Sequence, residues 1–268
     1  MLPTPFWKMH GAGNDFVLFD QVAAPRELSA DDAVRLCDRH RGIGADGLLL
    51  VRRDLDGGWR LVILNADGSR PEMCGNGIRC VARYLREARG VADDPIPIRT
   101  DAGVRPCGVT RAPDGTWSVT VGMGRPEVAP ADEQVAAAGR THTFRRVSVG
   151  NPHAILLSSD PWADARAYGP ALEVAPVFPN RSNIELVERL SDGAVRVVVH
   201  ERGCGITEAC GTGATAVAAA LIETGRHPAD APLAVHLPGG VVTIRRADDG
   251  AYLMTGPAEL VFRGEVML

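Results

Sequence analysis

Glu72-Met73-Cys74-Gly75-Asn76-Gly77, followed by Val81-Ala82, and Glu208-Ala209-Cys210-Gly211-Thr212-Gly213, followed by Val217-Ala218, are two versions of one stretch in opposite halves of a 268-residue chain. Each reads as a loop that ends in a cysteine and opens a helix through C-G-x-G. The repeat implies two related lobes, each presenting one thiol at a helix start. Two matched thiols facing a shared cleft suit a stereochemical inversion, in which one group removes a proton and another supplies one.

Working outward, the segment from Gly211 to Thr224 is apolar nearly all round, with Ala214, Ala216, Val217, Ala218, Ala219, Ala220, Leu221 and Ile222. Such a helix belongs inside a fold. The segment Gly75 to Arg89 is its partner, and short runs of strand character surround both. The predicted fold is α+β: two pseudosymmetric lobes, each a curved, mainly antiparallel sheet wrapped around a central helix, with the active site in the cleft between them. The predicted lobes are residues 1–118 and 119–256. Ser29 with Asp32 reads as a capping box for a helix running to about His40. Pro161 to Tyr168 reads as a short helix. The Ala-, Pro- and charge-rich segment Pro126–Arg140 is the expected crossing between lobes.

Composition removes several function classes. A charged fraction of 23% and an apolar fraction of 45% are those of a globular chain. A net charge of -4 without a basic stripe excludes a nucleic-acid partner. The longest apolar stretch, Ala214–Ile222, is too short to span a bilayer, and Met1-Leu2-Pro3-Thr4-Pro5 is no secretory signal. The expected location is the cytoplasm, with no membrane partner, where six cysteines are catalytic or buried rather than a disulfide framework. Lys8 is the single lysine, placed in an apparent strand, and is a poor Schiff-base residue. An amino-acid racemase on this chain would work without pyridoxal phosphate.

At a helix start, unpaired N–H groups and the macrodipole favour negative charge. Both Cys74 and Cys210 are therefore expected to have lowered thiol pKa values, and the adjoining N–H groups to hold a substrate carboxylate. One thiolate would remove an α-proton and the opposite thiol would return one, the two titrating as a coupled pair. Cys37 and Cys80 fall within helices and read as small buried hydrophobes. Cys107 reads as structural and Cys204 as a bystander. With no C-x-x-C and no H-x-x-x-H, no metal is expected. Gly42-Ile43-Gly44-Ala45-Asp46-Gly47 matches G-x-G-x-x-G, yet a helix precedes it and a strand follows, the reverse of a dinucleotide site.

Taken in order, Lys8-Met9-His10-Gly11-Ala12-Gly13-Asn14-Asp15-Phe16, Arg39 through Gly47, Asn65-Ala66-Asp67-Gly68-Ser69, Met73 through Gly77, Gly150-Asn151-Pro152-His153, Glu201-Arg202-Gly203, Ala209 through Gly213 and Leu237-Pro238-Gly239-Gly240 resemble the diaminopimelate epimerases nearly end to end. The resemblance implies cofactor-independent interconversion of LL- and meso-diaminopimelate, in lysine and peptidoglycan precursor biosynthesis, with Cys74 and Cys210 as the acid/base pair. It also implies that Gly75, Asn76, Gly211 and Thr212 bind the reacting carboxylate and amine. Asn14, Asn65, Asn151, Asn183, Glu201 and Arg202 would bind the substrate, most of them at its distal end. His153 and Glu201 would adjust the thiols, residues 257–268 would return to the first lobe, and the protein would be a homodimer. Some relatives carry a substrate-contacting glutamine at Gly47, so no role passes to that position.

The residues alone leave rivals open. Asn14 and Asn151 follow glycines and could satisfy turns, His153 could be a loop histidine, and Glu201 with Arg202 could be a surface pair. A proline- or hydroxyproline-type racemase would carry His in place of Asn76. A thiol redox protein would use the cysteines as a switchable disulfide, and an amino-acid binding protein would need neither thiol.

Overall fold

The computed structural model describes residues 3–268. In chain order the elements begin β1 (Pro3–Gly11), β2 (Asn14–Asp20), α1 (Ala30–Cys37), β3 (Gly47–Arg53), β4 (Trp59–Asn65), α2 (Gly75–Arg89), β5 (Ile96–Thr100), β6 (Gly103–Arg111) and β7 (Trp117–Gly124). They continue with β8 (Glu127–Val128), β9 (Glu133–Ala137), β10 (Arg140–Ser148), β11 (Pro152–Leu157), α3 (Pro161–Glu173), β12 (Asn183–Arg189), β13 (Val195–Glu201) and β14 (Gly205–Ile206). The last are α4 (Gly211–Glu223), β15 (Leu233–Leu237), β16 (Gly240–Arg246), β17 (Tyr252–Pro257) and β18 (Glu259–Met267). The chain divides into two compact units: one runs through Val121 and includes Gly256–Leu268, the other is Gly122–Thr255.

In the first unit β1–β2 pair antiparallel, β2–β3 parallel, β3–β4 antiparallel, β4–β5 parallel, and β5–β6 and β6–β7 antiparallel. Strand β18 adds antiparallel to β1. The second unit repeats this order through β10–β11, β11–β12, β12–β13, β13–β15, β15–β16 and β16–β17. The duplication read in two short motifs thus extends to a whole α+β topology.

Each cysteine-led helix is enclosed by its own sheet. Helix α2 touches β1 through β6, and α4 touches β8, β10, β11, β12 and β16. In α4, Ala214, Ala216, Val217, Ala218 and Ala219 are all fully buried. Burial of Val217, Leu221 and Ile222 contributes about 1.5–3 kcal/mol each. Strand β3 shows why its sequence is continuously apolar: Leu48 and Leu50 join a cluster with Ala33, Leu36 and Cys37 of α1, while Leu49 approaches Gly77 of α2. A sheet covered on both faces has no polar side to display. Helix α3 covers the second sheet in the same way, through Ala165 and Leu172.

Helix α2 differs from its twin in carrying two buried arginines. Arg79 Nε donates to the Pro257 carbonyl at 3.0 Å, and Arg83 Nη1 to that of Ala258 at 2.6 Å. Both fasten the start of the C-terminal return, so the cations satisfy its backbone carbonyls.

Several boundaries differ from the sequence expectation. Ser29 caps α1 with the reciprocal Asp32 bonds, but the helix ends at Cys37 because Asp38 leaves helical backbone at ψ 119°. The Ile43 and Gly44 N–H groups then fold back onto the Leu36 carbonyl. Helix α3 continues past Tyr168 to Glu173 despite Gly169-Pro170. Its extra turn buries Leu172 and gives Glu173 bonds from His200 Nε2 (3.1 Å) and the Gly203 N–H (2.9 Å). Pro126–Arg140 is no crossing: β8 and β9 both pair with β10, and the chain changes units at Val121/Gly122 and Thr255/Gly256. Among the described residues no helix is long and apolar enough to cross a membrane.

Candidate active site

In the first unit Cys74 is the N-cap of α2, with extended backbone (φ -134°, ψ 116°), and its sulfur accepts the Gly77 N–H at 3.5 Å. Sulfur here does the work usually given to a serine or aspartate oxygen. Asn14, at the start of β2, reaches the same point. Its Oδ1 accepts from Asn76 Nδ2 (3.1 Å) and from the Cys74 thiol (3.8 Å), and its Nδ2 donates to Asp46 Oδ2 (2.7 Å). Asp46 also accepts from Arg39 at 2.8 Å, and Arg39 grips Asp15. Burial would raise the Asp15 carboxyl, but hydrogen bonds and charge from Arg39 and Lys8 outweigh it and hold it at about 2. Lys8 is itself buried, paired with Asp15 and bonded to the Gly44 carbonyl.

Asn65 belongs to a neighbouring turn: its Nδ2 donates to Ser69 Oγ at 2.9 Å. Gly75 is buried in the first turn of α2 and its carbonyl accepts from Arg79 Nη1. Gly47 faces Asn65 across β3–β4, and a Cβ there would stand 2.8 Å from the Leu64 carbonyl oxygen. The glycine is sterically enforced in this backbone.

In the second unit Cys210 caps α4 in the same manner, with φ -126°, ψ 106° and the Gly213 N–H 3.4 Å from sulfur. Gly211 and Thr212 form the first turn, so their N–H groups lie ahead of the helical ladder. Asn151 is the counterpart of Asn14: its Nδ2 donates to Thr212 Oγ1 at 3.4 Å, and that oxygen lies 3.5 Å from the Cys210 sulfur. Asn151 Oδ1 meets His153 Nε2 at 3.0 Å, and His153 Nδ1 meets Glu185 Oε1 at 2.6 Å. On the other side Glu201 accepts the Thr207 hydroxyl at 2.6 Å, and its charge acts on the Cys210 thiol.

Burial, then the charges of Glu201 and Glu185, push the Cys210 thiol well above its ordinary value. The Thr212 and Gly213 bonds act in the opposite direction and lose. The expectation that a helix start lowers both thiols therefore fails at Cys210: desolvation and two carboxylates outweigh a dipole that acts over one turn. Burial likewise raises Glu201, against the bond from Thr207.

Asn183 and Arg202 sit further along the same edge. Asn183 Nδ2 donates to the Pro152 carbonyl at 3.0 Å, and its Oδ1 accepts the Arg202 N–H at 2.9 Å. Arg202 is exposed and its guanidinium donates to the Asn180 carbonyl at 3.3 Å. Cys37, Cys80 and Cys107 are buried, and burial pushes them to about 11, 12 and 12. Cys204 is exposed.

Sequence reasoning missed Asp46, Glu185 and Thr207. Glu185 had a readable signal: an acidic residue inside the buried strand run Asn183-Ile184-Glu185-Leu186-Val187. Asp46 was hidden inside the false dinucleotide match, and Thr207 carried none. Among the described residues no group of three or more His, Cys, Asp or Glu side chains could hold a metal ion.

Comparison with known proteins supplies the remaining information. The sequence profile of a family described as "Diaminopimelate epimerase" matches residues 6–129 and 145–261. The diaminopimelate epimerase of Desulforudis audaxviator (strain MP104C) is 45% identical over 97% of this chain and 98% of its own. That of Carboxydothermus hydrogenoformans is 41% identical over 98% and 99%. Among solved structures, a hydroxyproline epimerase from Agrobacterium vitis matches with a TM-score of 0.71 over 98% of this chain and 91% of its own. Its identity of 18% speaks for the fold alone.

Proposed function

This chain belongs to the diaminopimelate epimerase family, and from that membership we propose how its residues act. It is an isomerase that converts LL-diaminopimelate to meso-diaminopimelate, a step of lysine biosynthesis. Cys74 and Cys210 are the acid/base pair, acting on opposite faces of one Cα. The observation that carries this assignment is the duplicated cap: two thiols, each at the mouth of an enclosed helix, each bonded to the N–H three residues on.

One thiolate removes the α-proton, and negative charge moves onto the substrate carboxylate as an enolate-like species. The N–H groups of Gly75, Asn76, Gly211 and Thr212 stabilise that charge where it develops. The other thiol then delivers its proton to the opposite face, and the two cysteines have exchanged protonation states. The raised Cys210 thiol supports its holding the proton at rest, so Cys74 begins the LL-to-meso direction as the base. Asn14 and Asn151 orient the two sulfurs, Glu201 sets the proton affinity of Cys210, and Asn65, Asn183 and Arg202 recognise the distal amino-acid end. A guanidinium suits that end because the substrate carries a second carboxylate there. No cofactor takes part. The enzyme works in the cytoplasm as a homodimer, a reading supported by apolar side chains left exposed on β18, with Val261 at 55% and Phe262 at 46%.

The test is exchange in D₂O. Purified protein with LL-diaminopimelate and no added cofactor incorporates deuterium at one Cα as the configuration inverts, and proline gives no exchange. Cys74→Ala or Cys210→Ala abolishes net inversion. A double alanine variant that still epimerises overturns the two-thiol mechanism.

A further inference from the structure

We propose that Glu185 is a positioning residue that fixes the polarity of a hydrogen-bond chain ending on the Cys210 sulfur; this rests on the epimerase reading above. The chain has four links, all within one unit: Glu185 Oε1 to His153 Nδ1, 2.6 Å; His153 Nε2 to Asn151 Oδ1, 3.0 Å; Asn151 Nδ2 to Thr212 Oγ1, 3.4 Å; Thr212 Oγ1 to Cys210 Sγ, 3.5 Å.

The donors can be read along it. Asn151 donates through Nδ2 to Thr212, so its Oδ1 must accept, and His153 Nε2 carries a proton. Nδ1 at 2.6 Å from a carboxylate then shares a second proton with Glu185. Thr212, already accepting from Asn151, has its own O–H left for the sulfur. Glu185 thus favours the doubly protonated ring, whose Nε2–H orients Asn151 and leaves the Thr212 hydroxyl hydrogen for Cys210. Burial and the carboxylates keep that thiol protonated at rest; the O–H matters when Cys210 becomes a thiolate during turnover.

The duplicated topology supplies an internal control. Strand β3 starts with Gly47 opposite Phe16, and β12 with Asn183 opposite His153, so Leu49 and Glu185 hold the same place in their strands. The packing agrees. A Cβ on Gly77 would meet Leu49 Cδ2 at 2.7 Å, and one on Gly213 would meet Glu185 Oε1 at 2.9 Å. Where one unit packs a leucine against its central helix, the other buries a carboxylate with 0% exposure. Its Oε2 has no hydrogen-bond partner among the described residues. The fold does not need an acid there, and an unsatisfied buried carboxylate oxygen destabilises it. The partner its carboxylate does have is His153.

Histidine-selective ¹⁵N NMR tests this, with His153 assigned by comparison with His153→Asn. The wild-type ring shows a protonated Nε2 and a hydrogen-bonded proton at Nδ1. In Glu185→Gln that pattern changes to a single ring proton, and kcat for diaminopimelate falls about 10- to 100-fold, as for other groups that orient a reacting ligand, with KM unchanged. Glu185→Asp, which keeps the carboxylate, restores part of both. Wild-type kcat in Glu185→Gln, or a lost kcat with an unaltered ring pattern, overturns the proposal. If Glu185→Gln does not fold, the wild-type spectrum decides alone: an unprotonated Nε2 overturns it. Wild-type protein that exchanges no Cα hydrogen of diaminopimelate overturns the epimerase reading instead.

Discussion

At the scale of single residues, equivalent cysteines are made inequivalent by what their units pack around them. Cys74 rests against the neutral amide of Asn14, whereas Cys210 is flanked by Glu201 and Glu185. A thiol raised well above its ordinary value stays protonated as pH rises through the range where a free thiol, near about 8.5, ionises. Cys210 in the resting protein is therefore expected to react with iodoacetamide more slowly than free cysteine at about pH 8, since only the thiolate attacks. Peptide mass spectrometry after timed labelling reads this directly, with exposed Cys204 as the internal comparator. In Glu201→Gln one of the two raising charges is gone, and Cys210 labelling begins at lower pH. Labelling of wild-type Cys210 at the rate of free cysteine would contradict the assignment.

At the scale of elements, the two central helices solve one problem with different chemistry. Helix α4 is enclosed because it is apolar on every side. Helix α2 is enclosed although it carries Arg79 and Arg83, because backbone carbonyls of the returning segment receive both guanidinium groups. Arg83→Met keeps the aliphatic volume but leaves the Ala258 carbonyl without its donor and Glu87 with Arg263 in place of two cations. The expected loss of stability is about 1–3 kcal/mol, read as a lower urea midpoint with kcat preserved below the transition. A midpoint equal to wild type would mean water replaces the bond at no cost. Both helix starts and the extent of α2 were legible from C-G-x-G and the apolar run. The end of α1 and the last turn of α3 were not, because Asp38 and Gly169-Pro170 are decided by tertiary bonds to Leu36 and Glu173.

At the scale of the molecule, a single α+β topology is used twice, and its two copies have diverged where chemistry requires. Asn14 and Asn151 hold one place in both copies, each bonding the second residue after its cysteine. Leu49 and Glu185 also share a place but differ in chemistry, as do Gly47 and Asn183. The C-terminal strand β18 returns to pair with β1 and leaves Val261, Phe262 and Met267 exposed. If these side chains form the contact between protomers, wild-type protein sediments as a dimer and Phe262→Asp shifts it towards monomer. A monomeric wild type at micromolar concentration would refute the homodimer.

By itself the sequence determined the duplication, the two thiols at helix starts, the enclosed helices and the family, because each is written in local spacing and side-chain type. Only the tertiary structure decided which groups surround each sulfur. Glu185 lies in a strand, His153 in another, and Thr207 after a third; their distances to Cys210 depend on strand register. A dipole can be inferred from one helix, but the sign of a buried thiol's shift depends on every charge that folding brings within reach.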